Sequence, residues 1–197
     1  MQRAFLRAGV GIRHTEGFNP HAYISVALPL SVGMESICEL LDFEVVDGTS
    51  ILSLPALLNA QMPEGIAVQA AYETERKVKE IAWLRLCGVL EYDALADTAE
   101  MARQLTAFFA TSPLMVTKLT KKKEPTQVDI APLIREIAFT ADGANKIGIA
   151  AVVAAQNPGL SPNLLMEAIK QRAPTLTPDF ARFSRVEVYD SGMGVFR

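Results

Sequence analysis

The chain has 197 residues, half of them apolar and 21% charged, with a formal net charge of −3. That composition supports one ordinary domain or two small ones with real cores, and it lies far from that of a disordered chain. The acidic balance excludes a protein coated in positive charge for nucleic acid but leaves room for a local basic patch. No stretch reaches the ~18 apolar residues of a membrane span, and no apolar core followed by a cleavage site marks a signal peptide. Cys38 and Cys87 lie far apart in apolar contexts and outside any CxxC pair, so they read as buried free thiols. A soluble, cytoplasmic protein follows by default.

Gln2 to Ala8 reads as a helix of about two turns, with Phe5 and Leu6 apolar and Gly9 and Gly11 stopping it. A helix this short is marginal without packing, which implies a longer helix whose start, and a preceding strand, lie before Met1. The turn-rich Gly17-Phe18-Asn19-Pro20-His21 follows. Tyr23 to Leu28 alternates as a strand. Glu39 to Val46 is a second strand, with Leu41, Phe43 and Val45 on one face and Asp42 and Glu44 on the other. A helix from about Ser53 to Gln61 comes next, and Ile66 to Tyr72 reads as a strand.

The charged stretch Thr74 to Glu80 marks the junction between halves. Ile81 to Leu90 is a long strand. Asp93 or Asp97 caps a helix running to about Ala110, with Met101, Leu105, Phe108 and Phe109 as its apolar stripe. Leu114 to Leu119 is a strand, followed by a polar loop with lysines. Glu136 to Thr140 and Ile147 to Ala154 form a hairpin through Asp142-Gly143. Ser161 and Pro162 start a helix, and Arg185 to Tyr189 is the last strand. The fold class is therefore α+β. The second half (77–197) has the βαββαβ order of a ferredoxin-like fold, and the first half (1–76) has the same order without its N-terminal strand.

Two places could carry function. Asn19, His21 and Glu35 could form a general-base or ligand site, yet a loop histidine that bonds a backbone carbonyl accounts for the same residues. His14 and His21 with no cysteine nearby do not make a metal site. The second place is the loop holding Lys118, Lys121, Lys122 and Lys123 within six residues. Flexible cations flanked by Thr117, Thr120, Thr126 and Gln127 suit a phosphate backbone, while a solvated charged loop or a contact to an acidic protein fits as well. Asp129, six residues before Arg135, could orient that loop through an ion pair or cap the turn before Pro132. No P-loop, nucleophile elbow, HExxH or iron–sulfur spacing occurs, so no cofactor is implied.

Gly17-Phe18-Asn19-Pro20-His21, continuing through Ile24-Ser25, Ala27-Leu28-Pro29-Leu30 and Gly33-Met34-Glu35-Ser36, resembles the hallmark of an uncharacterised bacterial family. Its members are encoded beside, or fused to the C-terminus of, a radical S-adenosylmethionine protein. Pro63-Glu64-Gly65, Thr117 to Lys123, Val128-Asp129-Ile130 and Pro132-Leu133-Ile134 match the family in the same order. Two departures stand out. Ala22-Tyr23 replaces a Pro-Arg pair, removing a potential phosphate-binding cation, and a preceding segment with Ser-His-Leu-Asp is absent. The resemblance implies that any radical chemistry belongs to the partner, and the family's genomic company leans the substrate toward RNA. The expectation is a non-catalytic accessory protein that binds RNA or the partner enzyme. An enzyme with its site around Asn19, His21 and Glu35 and a protein-interaction scaffold stand as alternatives.

Overall fold

A computed structural model describes residues 1–94, 96–119 and 123–197. It is a mixed α+β structure with four α-helices and several sheets. The chain divides into two units: Met1–Pro29 with Glu39–Arg76 and Arg197, and Leu30–Cys38 with Lys77–Phe196. The stretch 30–38 thus goes with the second unit, although it falls inside the 1–76 half read from the sequence.

In the first unit, α1 (Gln2–Ala8) ends at Gly9, whose left-handed φ of 69° lets the chain turn and bond back to the last carbonyls. Strands β1 (Ile24–Ala27) and β3 (Leu40–Phe43) pair antiparallel, with Ile24 opposite Phe43. The alternation along 41–45 holds: Leu41, Phe43 and Val45 are half-buried against the core, while Asp42 and Glu44 are exposed. The Phe43 ring lies 4.8 Å from that of Phe5. Leu54 and Leu58 of α2 (Leu54–Asn59) complete the core with Ala4, Phe5, Val10 and Ile12.

Ile66–Tyr72 forms no strand. Its backbone is held instead by one side chain of α2. The Asn59 amide donates to the Val68 carbonyl at 2.9 Å and accepts from the Val68 N–H at 2.7 Å. An amide that offers both a donor and an acceptor takes the place of a neighbouring strand.

The second unit is built on a five-stranded sheet in the order β2-β9-β4-β8-β7. Its members are β2 (Glu35–Ser36), β4 (Ile81–Glu91), β7 (Ile134–Ala141), β8 (Lys146–Ala154) and β9 (Phe180–Asp190). The four long strands run antiparallel to their neighbours, and only β2 joins in parallel, on β9. The β2 edge is fixed by Arg185, whose carbonyl accepts from the Ile37 N–H at 3.1 Å and from the Cys38 thiol.

Helix α3 (Thr98–Phe109) starts at Asp97, whose carboxylate accepts from the Glu100 N–H at 2.9 Å. It packs on β7 and β8, with Phe109 stacked on Phe139 at 5.5 Å between centroids. Ser161 caps α4 (Pro162–Arg172) in the same way. Leu84, Leu86 and Leu90 of β4 and Ile147, Ile149, Ala151 and Val153 of β8 form the core on the face covered by α3. By alternation Trp83, Arg85, Cys87 and Val89 lie on the opposite face.

The sequence reads Leu114–Leu119 as a strand without assigning its partner. The structure makes it β5 (Met115–Leu119), paired only with β6 (Pro125–Asp129) in a separate two-stranded hairpin. Pro125–Asp129, which follows the lysines, is therefore strand.

Candidate nucleic-acid interface

The Gly17–His21 segment caps a hairpin in the first unit. The Tyr23 N–H donates to the Arg13 carbonyl at 2.7 Å, and the Thr15 N–H to that of His21 at 2.8 Å. The Thr15 hydroxyl accepts from the His21 N–H at 3.0 Å. Arg13 pairs with Glu44 at 2.9 Å, and that hydrogen bond and charge hold the guanidinium above its usual range. It also lies 5.8 Å from the Tyr23 ring. Nearby, the Thr49 hydroxyl bond and the amides of Gly11 and Thr49 hold the Asp47 carboxyl at about 2. Asn19 and His21 are exposed, and Phe18 is fully so. Among the described residues the His21 imidazole has no hydrogen-bond partner. Glu35 belongs to the second unit, on β2 opposite Ser184.

The lysine segment sits on the β5–β6 hairpin, where Lys118 faces Thr126 and Thr117 faces Gln127. Lys118 is half-buried and Lys123 exposed. Lys121 and Lys122 lie outside the described residues. Asp129 closes the base of the hairpin: one carboxylate oxygen accepts from the Leu114 N–H at 2.9 Å and from the Ala131 N–H at 3.1 Å. That is a turn cap, since two backbone donors that would otherwise lack partners converge on it. Arg135 makes no ion pair with Asp129. Its guanidinium lies 5.5 Å from the centre of the Trp83 ring.

The end of α4 adds to the lysine hairpin. The Gln171 amide donates to the Thr117 carbonyl at 2.8 Å and accepts from the Thr117 N–H at 2.9 Å. Arg172 donates to the Met115 carbonyl at 3.3 Å. These bonds place the last turn of α4, with the exposed cations Lys170 and Arg172, beside β5. Lys118 and Lys123 thus share one region with Lys170 and Arg172, accompanied by Glu124 and Glu167. From sequence alone, Lys170 and Arg172 read as the ordinary complement to a helix C-terminus. Nothing in their spacing points to a partner fifty residues upstream.

A second cluster occupies the sheet face opposite α3. Trp83 and Tyr189 are cross-strand partners on β4 and β9. A shift in register between Ile134 and Glu136 bulges β7 at Arg135, and Arg135 reaches the Trp83 ring. Arg85 lies 5.8 Å from the centre of the Tyr189 ring and 3.9 Å from the Glu136 carboxylate. Among the described residues the buried Arg85 Nε has no hydrogen-bond partner. The alternation Trp83-Leu84-Arg85-Leu86 held the sequence signal for this face, but the pairing with Tyr189 and Arg135 required the strand order.

Among the described residues, no group of three or more His, Cys, Asp or Glu side chains is placed to hold a metal ion. No helix among them is long and apolar enough to cross a membrane. No curated protein matches the chain. A family model matches residues 1–162, and the chain belongs to that family, the uncharacterised proteins conserved in bacteria designated DUF2344.

Proposed function

We propose that this protein is a cytoplasmic, non-catalytic accessory factor that binds RNA and positions it for a radical S-adenosylmethionine enzyme. The observation that carries the reading is the meeting of two basic segments. Gln171 clamps Thr117, so that Lys170 and Arg172 stand beside a hairpin bearing Lys118 and Lys123. Lys121 and Lys122 belong to the same short loop by sequence. In a chain of net charge −3, such local density suits a polyanion, because each phosphate neutralised releases a counterion. Lysines act as flexible point charges, a pattern that favours backbone contact over base reading.

The sheet supports a ferredoxin-like second half. Counted within that half, its long strands have the spatial order fourth, first, third, second, with α3 after the first strand and α4 after the third. The β5–β6 hairpin is an insertion on this reading. The partner enzyme rests on the family resemblance carried by Gly17–His21 and the motifs that follow it. The reading assigns no catalytic role to Asn19, His21 or Glu35.

Filter binding with bulk tRNA and ribosomal RNA fragments tests the RNA claim. Changing Lys121, Lys122 and Lys123 together to Glu reverses three charges and is expected to weaken binding by more than about tenfold at low salt. Unchanged binding by this variant would remove the hairpin from the interface. Wild-type protein that binds neither RNA would overturn the proposal.

A further inference from the structure

The geometry points to a second RNA contact: a platform of Trp83 and Tyr189 on which two bases of a single strand stack, with Arg85 and Arg135 as phosphate partners. This deepens the proposed RNA binding, and rests on it, by naming single-stranded RNA as the ligand class. The argument begins with the strand register. Trp83 and Tyr189 are directly opposed across β4 and β9, so their rings project from one face at the spacing of cross-strand neighbours, about 5 Å between Cβ atoms.

Each ring already has a guanidinium nearby, Arg135 at 5.5 Å and Arg85 at 5.8 Å. A planar cation beside a ring face occupies the kind of position a base would take, and the same cation serves a phosphate once the base is seated. The Arg85 contact to Glu136 is long at 3.9 Å, so that carboxylate does not hold the guanidinium by a hydrogen bond. Trp83 and Tyr189 are half-buried, so each keeps part of its surface accessible. The side chains of Arg85 and Glu136 are 43% and 59% exposed, and Arg135 is exposed.

Glu187, opposite Arg85, and Glu136 lie on the same face and repel phosphate, so the RNA backbone is confined to the two arginines. A duplex keeps its bases stacked inside and presents no free ring to the platform. The preference for single strands follows from that difference.

The chain contains one tryptophan, and it is Trp83, so its emission reports this site alone. The test titrates the full chain with a twelve-nucleotide single-stranded RNA of mixed sequence and with the same sequence as a duplex. Emission is read alongside filter binding. The single strand is expected to quench Trp83 emission, with a midpoint matching filter binding, and the duplex to leave it unchanged. Trp83→Phe keeps a stacking ring and is expected to bind within about threefold of wild type. Trp83→Ala and Arg135→Ala are each expected to lose about tenfold. Binding of the single strand with unchanged Trp83 emission and full affinity in Trp83→Ala would overturn the platform and leave the proposed function standing. Equal quenching by the duplex would overturn the single-strand claim, and no RNA binding at all would overturn both.

Discussion

Trimming Phe5 to alanine is expected to destabilise the first unit by about 3–5 kcal/mol. Phe5 is fully buried. It meets Phe43 at 4.8 Å and sits among Ala4, Val10, Ile12, Leu54 and Leu58. One ring therefore joins α1, β3 and α2. Those elements are short: seven, four and six residues. None is stable without tertiary packing, so the cavity falls where collapse costs most. Urea denaturation followed by circular dichroism checks it. A loss below about 1 kcal/mol would show that α1 is dispensable to this core.

The second large effect is expected at Gly88, in the middle of the central strand β4. A Cβ there would run into the Arg182 carbonyl oxygen, and would lie 2.9 Å from the Phe183 ring and 3.2 Å from the Ile149 Cγ2. The nearest of these is backbone of the adjacent strand and cannot rotate away. Gly88→Ala must therefore push β9 from β4, at about 3 kcal/mol, the upper end of overpacking costs. A fall in thermal midpoint of several degrees is the expected readout. Wild-type stability in this variant would mean that β9 shifts freely along β4. Because β4 and β9 also carry Trp83 and Tyr189, RNA binding through the sheet face should weaken with it.

Much of this architecture is legible in the residues themselves. Asp97 and Ser161 start helices because a short oxygen-bearing side chain ahead of an apolar stripe satisfies a free N–H. Gly9 ends α1 because only glycine reaches its φ without strain. Leu41-Asp42-Phe43-Glu44-Val45 alternates because one face of that segment meets the core. The misreadings have physical causes too. Ile66–Tyr72 has the apolar content of a strand, but its backbone groups at Val68 are taken by the Asn59 side chain. Pro125–Asp129 has one aliphatic side chain, Val128, and begins with proline, so it shows no strand pattern, yet it pairs with β5 along its length.

The candidate site was legible in part. The lysine run is visible in sequence, and two of its members, Lys121 and Lys122, lie outside the described residues. Its extension to Lys170 and Arg172 depends on Gln171, an unremarkable helix residue until it is seen to bond both backbone groups of Thr117. Asp129 and Arg135, six apart and opposite in charge, suggest an ion pair. The structure gives one to a turn and the other to an aromatic ring. Sequence spacing does not encode which partner lies nearer once strands are paired.

The most direct test of the central claim is the affinity of the wild-type chain for ribosomal RNA fragments measured across a range of salt. If the basic region and the two arginines contact phosphates, binding is present at low salt and log affinity falls linearly with log salt, with a slope of about −0.7 for each single-strand phosphate neutralised. No binding at low salt, or binding indifferent to salt, would contradict the account.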